Sequence, residues 1–237
     1  MAARLALLVG LTALSYPVGL LLGQPWILPA LNTLPAYLAM VARLRAGDRR
    51  GAVIAVLVWA AALAVFGTLC FSLWPSPVDR VVLNGPAYRD EIFAWICAGV
   101  GREGDPRQFL PQHLLHLVGF VALSLLTASA LSILMGAVLM NYMGFYVASL
   151  ARAGVPAASV LLLGWQPWAI CRVAAFCTLG ALLAEPLLSR VAGYRYAGLR
   201  SARPLWLLAG LGILADWLLK AALAPLWASL LREPLCR

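Results

Sequence analysis

Asp216 and Lys220 stand four residues apart in an apolar run, Pro204 to Leu231, that carries no other charge. Lys220 is the only lysine of the chain, and the seventeen other basic residues are arginines. Leaving a single charge in hydrocarbon costs about 3 kcal/mol on insertion scales, so such residues face a protein interior and pair. A helix stacks these two on one face, acid before base, which is the favourable order. The chemistry they suggest is proton or ion coupling, in which making or breaking the pair changes the cost of a charge in the membrane. The alternatives are a pre-neutralised pair that pins the helix to a polar partner, or a lysine that snorkels to the interface.

Arg172 is the next charge in an apolar stretch. It follows Gly164-Trp165-Gln166-Pro167-Trp168, where a proline can open a helix and turn backbone carbonyls toward a cavity, as at transporter sites. It could hold an anion or a lipid headgroup, or pair with Asp216 or Glu185. Asn141 lies in a Met- and Gly-rich stretch and needs polar partners. Together Arg172, Asp216, Lys220 and Asn141 make a candidate substrate-binding or coupling set.

His113 and His116 are the only histidines, and i,i+3 spacing puts both on one helical face. With Met135, Met140 and Met143 further along they could begin a soft-metal site. Carboxylates of the 78–112 segment would have to complete it. Asp90 and Glu91 are the candidates there, as ligands or as acid and base of an enzyme at the outer face. Ser124, Ala128, Ser132 and Gly136 recur every fourth residue, which suggests close helix packing or a polar lining. The five cysteines show no CxxC or Cys/His spacing and read as small apolar residues. GxSxG, HExxH, Walker A and GxGxxG are absent, so no common catalytic signature is present and no cofactor is indicated.

The elements that must position these residues follow from composition. Of 237 residues 63% are hydrophobic and 11% charged, with mean hydropathy +0.90, far from the balance of a soluble domain. Without ten-residue alternating segments a β-barrel is disfavoured, and helices are the spanning elements that satisfy their own backbone. The fold class is therefore all-α, a polytopic helical membrane protein. The net charge of +9 comes from arginines at the ends of apolar runs, which fits the positive-inside rule better than nucleic-acid binding. The partner is the lipid bilayer, with other membrane subunits if the protein belongs to a complex. Arginine over lysine with abundant Ala, Leu and Gly suggests a bacterial chain and an inner (cytoplasmic) membrane.

Apolar runs at 5–23, 27–44 and 52–74 read as three spans, the first retained for want of a cleavage site. The basic stretch 43–50 and a second at 190–203 mark the cytoplasmic side, with the N-terminus on that side too. Between them, 78–112 is an extracytoplasmic segment in which Tyr88 to Val100 forms a short amphipathic helix. Residues 113–150 carry no charge, and 38 helical residues extend about 57 Å, nearly twice the hydrocarbon core. A break near Gly136 is expected. Both basic loops share one side only if a long run crosses twice, which gives six or seven spans in one membrane domain, 1–237. The functional expectation is a small permease or membrane subunit of a transport complex, against a scaffold without a site or an intramembrane enzyme.

Overall fold

The computed structural model describes residues 2–99, 101–194, 196, 198 and 200–236. Within these the chain is all-α. Seven helices are long and apolar enough to cross a membrane: α1 (Ala2–Leu22), α2 (Ile27–Arg45), α3 (Arg49–Leu73), α6 (Pro106–Thr127), α7 (Ala130–Arg152), α9 (Pro167–Ala192) and α10 (Arg203–Leu235). Three short helices, α4 (Pro75–Val81), α5 (Gly85–Ala98) and α8 (Ala157–Leu163), complete the described set. The protein is a polytopic helical membrane protein, with the upper of the two expected span counts.

Local chemistry sets the boundaries. Asp48 caps α3 within the basic stretch, accepting from Gly51 N at 2.8 Å while it pairs with Arg43 at 2.9 Å. Pro167 occupies the first turn of α9, where its missing N–H would be unpaired anyway, and the helical run from 156 accordingly splits into α8 and α9.

The break expected near Gly136 lies eight residues earlier. Ala128 and Ser129 adopt left-handed backbone angles (φ 48° and 67°), a conformation that non-glycine residues visit only in turns, and this closes a tight α6–α7 connection. Three hydroxyls hold it. Ser124 donates to Ser132 at 2.8 Å, Ser132 to Ser129 O at 3.1 Å, and Ser129 to Gly180 O on α9 at 2.7 Å. The serines that suggested one continuous packing stripe therefore face each other across a turn, and Gly136 sits inside α7 against Trp59.

α1, α2 and α3 pack on one another, and α2 and α3 also on α7. α10 and α6 pack on α9. α3, α7, α6 and α9 close a ring in which each touches the next. The two basic connections lie at one end, where Arg49 meets Glu185 at 2.5 Å and also reaches Ser201. At the opposite end α5 covers the bundle. It buries Ile92, Trp95 and Ile96 in a cluster with Tyr146, Val147, Leu150, Ala228 and Leu231, much as the amphipathic reading of 88–100 expected. A disulfide between Cys97 and Cys236 ties the end of α5 to the end of α10, and Arg232 Nε donates to Ile96 O at 2.9 Å beside it. Reading all five cysteines as small apolar residues was wrong for these two. Their separation of 139 residues hides the pairing, and only Cys70, Cys171 and Cys177 are free.

Candidate functional site

Five charged or ionisable side chains from four elements meet at the capped end of the bundle. Arg172, one turn into α9, grips Asp216 of α10 with two parallel hydrogen bonds, Nε to Oδ2 at 3.0 Å and Nη2 to Oδ1 at 2.9 Å. Such a fork matches guanidinium to carboxylate geometry and is the strong form of this pair. His113 of α6 approaches the same carboxylate, with Nδ1 3.2 Å from Oδ2, although Nδ1 lies off the line of a good hydrogen bond. Its other nitrogen, Nε2, lies 3.4 Å from Lys220 Nζ. An ammonium can only donate, so Nε2 accepts and the ring hydrogen sits on Nδ1, toward Asp216.

Lys220 in turn pairs with Glu103 at 2.7 Å and lies over the Phe109 ring, 4.8 Å from its centroid. The sequence Arg172, Asp216, His113, Lys220, Glu103 thus alternates in charge around a neutral imidazole and sums to zero. Lys220 and Asp216 are each 1% exposed, so the lysine does not snorkel to water. The expected direct pair between Asp216 and Lys220 is absent from the ion pairs of the described residues. Each goes to a different partner, and His113 stands between them.

Glu103 was invisible to sequence reasoning. It is one of several carboxylates in 78–112, and nothing in its local sequence sets it apart. It is the one that the fold buries, at 8% exposure, on the short turn Arg102–Gly104 between α5 and α6. The carboxylates that had been singled out go elsewhere: Asp90 pairs with Arg89 at 2.7 Å and Glu91 with Arg102 at 3.1 Å. Among the described residues no group of three or more His, Cys, Asp or Glu side chains is placed to hold a metal ion. Met140 and Met143 line the cavity described next, but as wall rather than as a ligand set.

The charge chain borders a cavity of about 100 Å³ that runs down the ring of α3, α6, α7 and α9. At its capped end stand Tyr88, Glu103, Gln112, His113, His116, Gln166, Arg172 and Lys220. Below them the walls are apolar, with Val56, Trp59 and Ala60 opposite Phe120, Ile133 and Phe176. Ser132, Cys177 and Gly180 mark its far end, next to the α6–α7 turn. Tyr88 reaches in from α5 and donates to Met143 Sδ at 3.5 Å. Burial, reinforced by the Glu103 carboxylate, holds its phenol well above the usual value, so it stays a neutral donor.

Asn141 belongs to a different cluster. Its Oδ1 accepts from Tyr16 OH at 2.9 Å and its Nδ2 donates to Asn32 Oδ1 at 2.7 Å. Asn32 Nδ2 continues to Ser15 Oγ at 2.6 Å, Ser15 to Thr12 O at 2.6 Å, and Trp59 Nε1 donates to Asn32 O at 2.7 Å. This network ties α1, α2, α3 and α7 together. It needs partners, as the sequence implied, but finds them among uncharged groups, and Asn141 does not join Arg172, Asp216 and Lys220. Glu185, the remaining acid in an apolar run, pairs with Arg49 at the basic end.

Fold and site together define an integral membrane protein with a charged, capped cavity inside its helical bundle. No protein-family model matches the chain, and no curated protein or solved structure is significantly similar to it.

Proposed function

We propose that this protein is of transport class, a small permease or membrane subunit that takes a molecule into the cavity between α3, α6, α7 and α9. The observation that carries the reading is the charge chain at the mouth of that cavity. Its members come from α6, α9, α10 and the turn at 102–104, so no movement of these elements leaves their ion pairs unchanged. Burial of such a chain is expensive, and apolar residues would hold the same helices together. A site that exchanges partners as the helices move is a reason to keep it.

In this reading Arg172 and Lys220 contact the substrate or its coupling ion, Asp216 and His113 hold them in position, and Glu103 locks the cap. The orientation we propose places the basic connections 43–50 and 190–203 and the N-terminus in the cytoplasm of a bacterial cell, with the protein in the inner membrane. Arginine at one end supports it. So does the Cys97–Cys236 disulfide at the other, since disulfides persist in oxidising compartments.

The test needs no knowledge of the substrate. Ala169, on the cavity wall, is replaced by cysteine after Cys70, Cys171 and Cys177 are changed to alanine. An impermeant thiol reagent is then applied to right-side-out and to inside-out vesicles. A carrier exposes position 169 to each side in turn, so both preparations should label. Labelling from one side only would rule out transport, and labelling only from the capped side would favour an enzyme working at that face.

A further inference from the structure

We infer that the occupant of the cavity is a single aliphatic chain bearing a head rich in hydrogen-bond acceptors, such as a carboxylate, a phosphate or a carbonyl ester. This rests on the transport reading of the same site and names its substrate class.

The shape is the first ground. Along α7 the wall runs from Met143 to Ser132, eleven residues or about 16 Å at helical rise. A volume of about 100 Å³ spread over that length leaves a narrow bore. It is wide enough for one chain of methylenes and too slender for a compact polar solute. Apolar cavities of this size stay dry and take apolar guests, and here Trp59, Phe120 and Phe176 are walls without a partner inside the bore.

The second ground is the chemistry of the capped end. Arg172 uses Nε and Nη2 on Asp216, which leaves Nη1 with no carboxylate among the described residues. Gln166 is 2% exposed, and its Nε2 has no hydrogen-bond acceptor. A buried donor without an acceptor is rare and costs roughly 1–3 kcal/mol. An oxygen-rich head placed there supplies what Arg172 and Gln166 lack.

Glycine is the third. Gly136 and Gly180 face the bore from α7 and α9, and a methyl group on either would meet only Trp59 at 3.9 Å or Phe120 at 3.4 Å. Nothing else in their surroundings requires glycine at these two helical positions, where it weakens the helix. Their lack of a side chain keeps the bore open.

The experiment follows Trp59 fluorescence, taken as the difference between the protein and Trp59→Phe, in detergent-purified full-length chain. One arm adds dodecanoate carrying a terminal bromine, and the other reconstitutes the protein with phosphatidylglycerol brominated at the chain end. Saturable quenching of Trp59 is expected in at least one arm. Gly136→Leu should weaken it at least tenfold, and Gln166→Leu should raise the half-saturating concentration severalfold. If Gly136→Leu does not fold, Gly180→Ala, which adds one methyl at the far end, should still reduce quenching. A response in the free-acid arm alone assigns a diffusing amphiphile, and in the lipid arm alone a bilayer lipid. No saturable quenching in either arm, or quenching unchanged by the glycine variants, overturns the inference. Two-sided labelling at 169 without Trp59 quenching would remove the aliphatic guest and leave transport. Quenching with one-sided labelling would do the reverse.

Discussion

The amide cluster around Asn141 and the charge chain around Asp216 are both cut off from solvent, yet they solve burial differently. Around Asn141 every partner is neutral, and the hydrogen bonds close within four helices that already pack tightly. Gly67 shows how tight: a Cβ there would come within 2.7 Å of the Tyr16 hydroxyl. Around Asp216 the groups are charged or ionisable, they come from α6, α9, α10 and the turn at 102–104, and one side of the cluster faces the cavity. A neutral network in a dense region fixes register at modest energetic stakes. A charged chain beside a cavity carries a large penalty for any lost partner, so helix movement there must hand each charge to a new one.

The sharpest break of this comparison is Asp216→Ala. It strands the Arg172 guanidinium and removes the acceptor facing His113, and we expect a loss of about 3–5 kcal/mol, read as a collapse of abundance and of thermal stability in detergent. Arg172→Met with Asp216→Leu should recover most of the stability while two-sided access to position 169 stays lost. A double variant no more stable than Asp216→Ala would show that the pair is not the source of the penalty. Lys220→Ala comes next. Its rescue should come from Glu103→Gln, the partner seen in the structure, and not from Asp216, a contrast that thermal unfolding of the two double variants decides.

Asn141→Leu should cost less, about 1–3 kcal/mol, because it leaves Asn32 Oδ1 without its donor, while the Tyr16 hydroxyl keeps the Leu63 carbonyl and no charge is stranded. Labelling at 169 in the folded fraction should not change. Were Asn141→Leu to abolish that labelling as Asp216→Ala does, the two clusters would not be separable. The smallest effect belongs to Ser129→Ala, which loses only the hydrogen bond to Gly180 O, about 0.6 kcal/mol by the average for such bonds in membranes. A large loss would mean that the α6–α7 turn is the pivot of the bundle.

How far the chain could be read from its residues differs between these clusters for a physical reason. Arg172, Asp216, Lys220 and His113 stand out because a charge or an imidazole in an apolar run is costly wherever the helix goes, and that cost is visible without a fold. Which of the candidate partners each takes is not, since pairing is settled by depth in the bilayer and by which helices neighbour each other. So helical spacing offered Lys220 to Asp216, whereas the other pairing the sequence offered, Arg172 with Asp216, is the one that forms and Lys220 goes to Glu103. Glu103 stayed hidden among soluble-looking acids, because only the folding of α5 onto the bundle buries it. The α6–α7 turn escaped for another reason. Ala128 and Ser129 are not the residues that announce left-handed geometry, and the serine hydroxyls that stabilise it also fit a helix-packing stripe. The span count was bounded by charge alone, since two arginine-rich connections on one side demand a double crossing between them.

α10 bears Asp216 and Lys220, is followed directly by Cys236, and comes after all the other described helices in the chain. During synthesis Arg172 and Glu103 are therefore made before their counter-charges exist, and Cys97 waits for a thiol made later. An incomplete product ending before residue 216 would carry an unneutralised arginine in lipid and an unlatched cap, both of which a membrane protease can recognise. α10 is thus a built-in proofreading step, because its arrival discharges the bundle and permits the cross-link that seals it.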